Sequence, residues 1–590
     1  MYTRSKYKSS TPDKTVARIE SICHQIGIRF ECIEFSNVNA DHSCRLILVN
    51  DNLRCFNIGT NGKGMDEMYA KASAYGEFME RIQNKALFRT NLKYATKYFL
   101  DNTPDNEWKC ILKKNNLVLD FLYYPDESRR TISAKEMQEK IIPQFFPRYL
   151  HLRENLTSNS YSSIFAPFTN LSEGTRVQFP VGVYRGICGT TGLCSGNTKA
   201  EAIIQGINEI CERYVLQRLF LEKLELPEIN LQSFKGTAIF ERLDSLKEYY
   251  NVYVKDCSLG GVFPVIGLLL VEKNSGKYSF RLGADFSIIT ALERCFTETF
   301  QGKDADKAVF HSIDITNESD LSQYGLCKKN GTGIFPHCVL KTNDNKQQFP
   351  NIDFHSYEEE LKHYITILKD HGYTVYCKDN SFLDFPAYSI YIPGLSEIDS
   401  EWIDFLSLLI EKDTEFNTQA PQLNIIEVLS ADPNRTINYG EDGIAHLQVW
   451  NTSPLASRNP RLLKMLQYLI VGDYELARAQ IEGLIIANKS SEKNAQKVYS
   501  CLDSMLQLLS TGNNDFRILS VLYGASMVEN LSFQVMNPLK TLEGLQPPKC
   551  FNCERCHIRH SCRFFDVIAL EKRIQSIQIK SNIYYGERTE

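Results

Sequence analysis

The sequence predicts a mixed α/β (α+β) domain followed by a helical, TPR-like domain. Two observations lead to this. Extended and helical periods alternate through roughly the first three quarters of the chain, and from residue 460 onward only amphipathic helical periods remain. A third observation, the same polar stripe on three separate helices, points to where the chemistry lies. The expected boundaries are residues 1–445 for the first domain, 446–545 for the helical-hairpin domain and 546–590 for a cysteine-rich tail with a terminal helix.

Taken in order, residues 13–27 have a helical period, 28–35 an extended one, and 45–58 a hairpin turning at Asn50-Asp51-Asn52. The segment TNGKG (60–64) is expected as a glycine-rich loop that delivers the chain into a helix over 66–84. Between 85 and 180 five prolines interrupt a weak pattern, Pro104, Pro125, Pro143, Pro147 and Pro167, and little is legible. A second glycine-rich loop, RGICGTTGLCSGNT (185–198), opens a helix over 199–219, and 252–283 has the pattern of a β-meander. A third helix is expected at 288–301, with extended segments at 372–378, 387–392 and 423–429. Helices at 461–471, 474–487, 496–510 and 515–523 follow, with Gly472-Asp473 and Thr511-Gly512 as stop signals. No clean internal period marks a repeat array.

Composition narrows the function. A 590-residue chain with 43% hydrophobic residues buries a large core. A net charge of −5 and a pI near 6.2 create no field for nucleic acid or an anionic membrane. The N-terminus has no apolar h-region, and the longest apolar run, 262–271, is too short to span a bilayer and is expected as a buried strand. The expectation is a cytoplasmic protein with no membrane or direct nucleic-acid partner. Of the 18 cysteines, 14 are scattered singly, as in reduced proteins.

In SAYGEFMER, Ser73, Glu77, Glu80 and Arg81 recur at helical spacing on one face. In KAEAIIQGINEICERY the same holds for Glu201, Gln205, Glu209, Glu212 and Arg213, and in ALERCFTETFQG for Arg294, Glu298 and Gln301. If the stripes converge, carboxylates 5 to 6 Å apart repel by about 3 kcal/mol per pair at an effective dielectric near 20. Mg²⁺ relieves that repulsion by taking hard oxygen ligands, and arginines suit phosphate oxygens. The ordinary alternative is a set of solvated helix faces, with Glu201 serving a capping box behind Thr198. GTNGKG lacks the Walker A spacing, so a bound nucleotide would not sit on a P-loop.

The ordered strings NGKG…SAYGEFMER, SGNTKAEAIIQGINEICERY and ALERCFTETFQG resemble the YcaO family. PGLSEI at 393–398 and the helices after 460 resemble its longer branch, typified by the accessory factor of ribosomal-protein methylthiolation. The resemblance covers nearly the whole chain to about residue 540. It implies ATP bound without a P-loop, Mg²⁺ held by clustered glutamates, and attack on an amide carbonyl followed by phosphorylation of the oxyanion. By motif match it implies that Glu77, Glu80, Glu209, Glu212 and Glu298 are metal ligands and that Arg213 and Arg294 contact phosphates. Ser73, Glu201, Gln205 and Gln301 match supporting positions, and Lys8 and Thr15 match nucleotide contacts at the N-terminus. It further implies a protein or peptide substrate, a sulfur-transfer or radical enzyme partner, and a homodimer. Azoline-forming members often end in a proline-rich tail, whereas this chain ends SNIYYGERTE.

CFNCERCHIRHSC places Cys550, Cys553, Cys556 and Cys562 at a spacing that suits a tetrahedral Zn²⁺ or an iron–sulfur cluster, and the sequence does not decide between them. Cys194 at a helix N-terminus is expected as a buried small hydrophobe rather than a reactive thiol. Three functions remain open: assistance to β-methylthiolation of a small-subunit ribosomal protein, thioamide or azoline formation in a ribosomally made peptide, and a nucleotide-sensing scaffold.

Overall fold

The computed structural model describes residues 9–36, 42–50, 58–87, 129–156, 159–300, 333–343, 348–398, 410–411, 460–487, 493–543, 569–570, 573–574 and 576–577. Lys8, Gln301, the expected strand at 423–429 and the four tail cysteines lie outside the described residues. The described residues up to 411, with 573–577, form one compact unit, and 460–570 belong to a second.

The first unit opens with α1 (Pro12–Gln25), which has Pro12 at its first position, where a missing N–H removes no helical bond. Strands β1 (Phe30–Ser36), β2 (His42–Leu48) and β3 (Gly59–Gly64) form an antiparallel sheet, and α2 (Glu67–Gln83) packs against it. Asp66 caps α2 by accepting the Tyr69 N–H at 2.9 Å.

One expectation is overturned here: TNGKG is not a loop but most of β3. Its glycines serve close packing. A Cβ on Gly62 would lie 2.0 Å from the Ala70 carbonyl oxygen, and one on Gly64 would lie 2.6 Å from the Ala70 nitrogen, so only glycine lets the strand press on α2. Because side chains alternate along a strand, Lys63 between them is directed away from α2.

Next come β4 (Arg129–Ser133), β5 (Ser160–Asn170) and β6 (Arg176–Pro180), then α3 (Val181–Cys188), β7 (Leu193–Ser195) and α4 (Lys199–Glu222). The supposed loop 185–198 is thus divided, its first four residues ending α3 and its middle forming β7. There follow β8 (Leu226–Ile229), α5 (Ala238–Leu246), β9 (Tyr250–Asp256), β10 (Val265–Glu272), β11 (Tyr278–Ala284), α6 (Ile288–Phe300), β12 (Thr342–Asn343), α7 (Tyr357–Asp370), β13 (Tyr376–Asp379), β14 (Ala387–Tyr391) and β15 (Ile410–Glu411).

These strands make two further sheets. One has the order β11-β10-β9-β8-β12, and the other the order β15-β5-β13-β14-β7, with β4 and β6 also pairing with β5. Strand β10 is apolar on both faces. Val265 and Leu269 join the core built around α4, while Ile266, Leu268 and Leu270 join the core of α5 and α6. That double burial explains the uninterrupted apolar run in the sequence. Helix α4 buries Ile203, Ile207, Ile210, Val215 and Leu219, so most of its circumference is core and only a narrow stripe is left for polar groups.

In the second unit, α8 (Pro460–Ile470), α9 (Tyr474–Ala487), α10 (Lys493–Ser510), α11 (Leu519–Tyr523), α12 (Ala525–Met536) and α13 (Pro538–Glu543) enclose Met465, Leu466, Ile481, Leu502 and Met505. The Arg478 Nε donates to Asp503 Oδ1 at 2.8 Å, tying α9 to α10. Among the described residues no helix is long and apolar enough to cross a membrane.

The β3–α2 contact makes a stability prediction. Replacing Gly62 by Ala forces a Cβ against backbone and should cost about 1–3 kcal/mol, read as a lower urea midpoint at unchanged slope. A wild-type midpoint in Gly62→Ala would mean that the strand is not pressed on the helix.

Candidate functional site

Two of the three striped helices are anchored to one sheet. At the end of α2, the buried Gln83 donates through Nε2 to the Phe385 carbonyl at 2.8 Å and accepts the Leu383 N–H at 2.9 Å. Next to it, Asn84 Oδ1 accepts from Asn380 Nδ2 and from Ser389 Oγ, each at 2.7 Å. The Ser195 hydroxyl on β7 donates to the Gly76 carbonyl in the middle of α2 at 2.7 Å. Helix α4 packs on β7 and β14, and Gly206 approaches so closely that a Cβ would lie 2.9 Å from Cys194 Sγ. Cys194 is itself fully buried, and burial pushes its thiol well above the ordinary range, as suits a small hydrophobe. Helix α6 joins from the neighbouring sheet, where Arg294 Nη2 donates to Gln205 Oε1 on α4 at 2.6 Å.

These anchors bring the charged stripes together. On α2, Arg81 donates to Glu77 Oε1 from Nη2 at 3.2 Å and from Nε at 3.3 Å, and its Nε lies 3.5 Å from Glu80 Oε1. Arg81 Nη1 is buried without a hydrogen-bond partner. On α4, Glu209 Oε2 accepts the Gly192 N–H at 3.1 Å. That donor depends on glycine, because Gly192 has φ +83° and a Cβ there would come within 2.3 Å of the Ile390 carbonyl oxygen. From β3, Lys63 forms an ion pair with Glu298 of α6.

Long-range electrostatics show the convergence. Burial raises the Glu80 carboxyl well above its ordinary value, Arg81 opposes this, and Glu209 and Glu77 add to it. Burial likewise raises Glu209, with Arg213 and Arg81 opposing and Glu212 adding. Lys63 is pushed down to about 8, first by burial and then by Arg294 and Arg213, against the pull of Glu212 and Glu77. Thus Glu77, Glu80, Arg81, Glu209, Glu212, Arg213, Arg294 and Glu298 lie within electrostatic range of one another or of Lys63. Sequence reasoning missed Lys63. The only available signal is its place between two glycines, a pattern that fits a loop as well as a strand pressed on a helix.

Other candidates lie apart or have a structural use. The Thr198 hydroxyl accepts the Glu201 N–H at 3.3 Å, while Glu201 Oε2 accepts from Asn197 N–H and from the Ser9 hydroxyl, each at 3.2 Å. Thr15 Oγ1 donates to Asn197 Oδ1 at 2.9 Å. Thr15 and Glu201 therefore belong to a hydrogen-bonded group that ties α1 to the start of α4, about 12 Å along the helix from Glu209 at 1.5 Å per residue. Ser73 is partly buried one turn before Glu77.

The chemistry of the donor set suits a hard divalent cation, because it offers several carboxylates and burial already penalises the charge of Glu80 and Glu209. Among the described residues no three acidic, thiol or imidazole side chains stand close enough to enclose one ion. Arg81 and Lys63 occupy carboxylate oxygens that an ion would need.

The family described as YcaO cyclodehydratase, ATP- and Mg²⁺-binding, matches residues 61–396. The chain is 25% identical over 598 residues to the ribosomal protein S12 methylthiotransferase accessory factor YcaO of Escherichia coli K12, a match covering 92% of this chain and 93% of that one. It is 27% identical over 417 residues to an uncharacterised protein of Haemophilus influenzae, covering 66% of each. Among solved structures, that of YcaO from Methanopyrus kandleri bound with AMPPCP and Mg²⁺ aligns with a TM-score of 0.40 at 16% identity, over 67% of this chain and 94% of that one.

The raised carboxyls make a pH prediction. A carboxyl whose folded pKa exceeds its unfolded value favours folding fully below the unfolded value, and that contribution is lost as pH rises through the folded one. The metal-free protein should therefore lose stability as pH climbs above the ordinary carboxylate value of 4.5 that Glu80 exceeds. A divalent cation competes with protons for a carboxylate whose folded value is raised, so Mn²⁺ affinity should rise as pH climbs above 4.5, with proton release detectable in buffers of different ionisation enthalpy. Binding with no proton release would contradict the shift.

Proposed function

This chain belongs to the YcaO family, and from that premise we propose that it uses Mg·ATP to activate a backbone amide of a protein or peptide. The observation that carries the reading is the gathering of Glu77, Glu80, Glu209, Glu212 and Glu298 with Arg213 and Arg294 inside the matched stretch. ATP with Mg²⁺ supplies the phosphoryl group that turns an amide oxygen into a leaving group.

The protein's own residues do the rest. The five glutamates offer hard oxygens for the metal, and Arg213 and Arg294 offer guanidinium donors to phosphate oxygens. Gln205 holds Arg294 in place, as the Gly192 N–H holds Glu209. Arg81 shields the Glu77 and Glu80 pair from mutual repulsion. Burial of these groups strengthens their action on charge developing at the amide oxygen.

Within this activity, we place the chain as an accessory factor in β-methylthiolation of a small-subunit ribosomal protein, acting with a sulfur-transfer or radical enzyme. The near full-length match to the Escherichia coli accessory factor supports that reading. Thioamide or azoline formation is the second reading, supported by the family's description as a cyclodehydratase.

Calorimetric titration of Mg·ATP should show binding to the wild type and weakening of about a hundredfold in Glu209→Gln or Glu212→Gln. Wild-type protein that binds no nucleotide would overturn the reading. In cells lacking the protein, methylthiolation of the ribosomal target should fall, and Glu212→Gln should fail to restore it. Full restoration by that variant would leave a scaffold and remove the enzyme.

A further inference from the structure

The flanking glycines clamp β3 on α2, and Lys63 between them is the β3 residue that pairs with the charged cluster. Its ammonium pairs with Glu298, and its electrostatic neighbours are Glu212 and Glu77 among the acids and Arg294 and Arg213 among the bases. Lys63, on a fourth element, therefore contacts α6 through Glu298 and lies within electrostatic range of charges on α2 and α4, and the ion pair spans β3 and α6 rather than one helix surface. Both partners keep only part of their surface exposed, 25% for Lys63 and 34% for Glu298, so water screens the pair less than it would a surface pair.

We propose that Lys63 is a placeholder cation: it holds Glu298 while the carboxylate cluster has no metal, and Glu298 serves a metal only after leaving it. This rests on the reading of the cluster as a divalent-cation site and adds a regulation of that site. The physical argument is competition. A carboxylate engaged by an ammonium is a poorer ligand, because binding a metal there must break the pair, and the ammonium adds like-charge repulsion toward an arriving cation. The compensating gain is order. Without a cation, Glu298, Glu212 and Glu77 repel one another, and α6 loses its tie to β3. Lys63 is then a positioning residue acting through Glu298, and it sets a threshold below which the metal alone does not bind.

The test is titration of Mn²⁺ alone, without nucleotide, into the full-length protein, with free Mn²⁺ read by electron paramagnetic resonance. Lys63→Met and Lys63→Gln should bind Mn²⁺ about tenfold more tightly than wild type, whereas Lys63→Arg should stay near it. Adding Glu298→Gln to Lys63→Met should abolish the gain. Unchanged or weaker binding in the neutral variants, or a gain that survives Glu298→Gln, overturns the proposal. Should neither neutral variant fold, amine labelling of Lys63 in the wild type gives the answer. Labelling should rise when Mn²⁺ is added, and constant labelling overturns it. If the wild type binds Mn·ATP but the neutral variants show no gain, Lys63 alone is refuted. If no protein binds Mn²⁺ with or without ATP, the cation site itself falls and Lys63 with it.

Discussion

Acidic side chains from three helices cannot share a partly buried space without cations among them, and the first unit is arranged around that constraint. Each helix brings its own arginine or meets one: Arg81 beside Glu77 and Glu80, Arg213 one residue after Glu212, and Arg294 one turn before Glu298. The compensation is incomplete, since burial still raises Glu80 and Glu209. A site left short of positive charge is one that a divalent cation can complete, at a desolvation cost the protein has already met in folding. Stability and function therefore draw on the same charges in opposite senses.

The scaffold converts that electrostatic tension into a defined geometry. Buried amides at the end of α2, Gln83 and Asn84, fasten it to the turn before β14 and to β14 itself, while Ser195 fastens its middle to β7. Helix α4 lies on the same strands, so α2 and α4 cannot drift apart without breaking buried hydrogen bonds. Only glycine permits the approaches involved, at Gly62 and Gly64 on α2 and at Gly192 beside Glu209. The apolar residues of α4 leave Gln205, Glu209, Glu212 and Arg213 on one stripe, while Gln217 further along is buried against the Ile398 carbonyl.

Much of this was legible in the sequence because helical spacing is a local property. The stripes at Glu77–Arg81, Gln205–Arg213 and Arg294–Glu298 follow from a 3.6-residue period alone, and the meander follows from turn residues and alternation. Lys63 was not legible, because glycines that admit a neighbouring helix look the same in sequence as glycines that make a turn. Nor were Gln83 and Asn84, whose partners lie about 300 residues away along the chain, as Leu383, Phe385, Asn380 and Ser389 do. The strands between 129 and 180 were hidden for a related reason. They form one edge of the largest sheet, and their pairing is set by β5, whose apolar and polar residues follow no simple alternation.

We propose that carboxylates of α2, α4 and α6 jointly take a divalent cation together with a nucleotide. Anomalous diffraction from crystals grown with Mn²⁺ and a non-hydrolysable ATP analogue tests it most directly. The expected result is a manganese peak bounded by carboxylates from all three helices, with Arg213 and Arg294 on the phosphates and Glu298 turned away from Lys63. A peak bounded by one helix alone, or a nucleotide seated elsewhere in the chain, would contradict it.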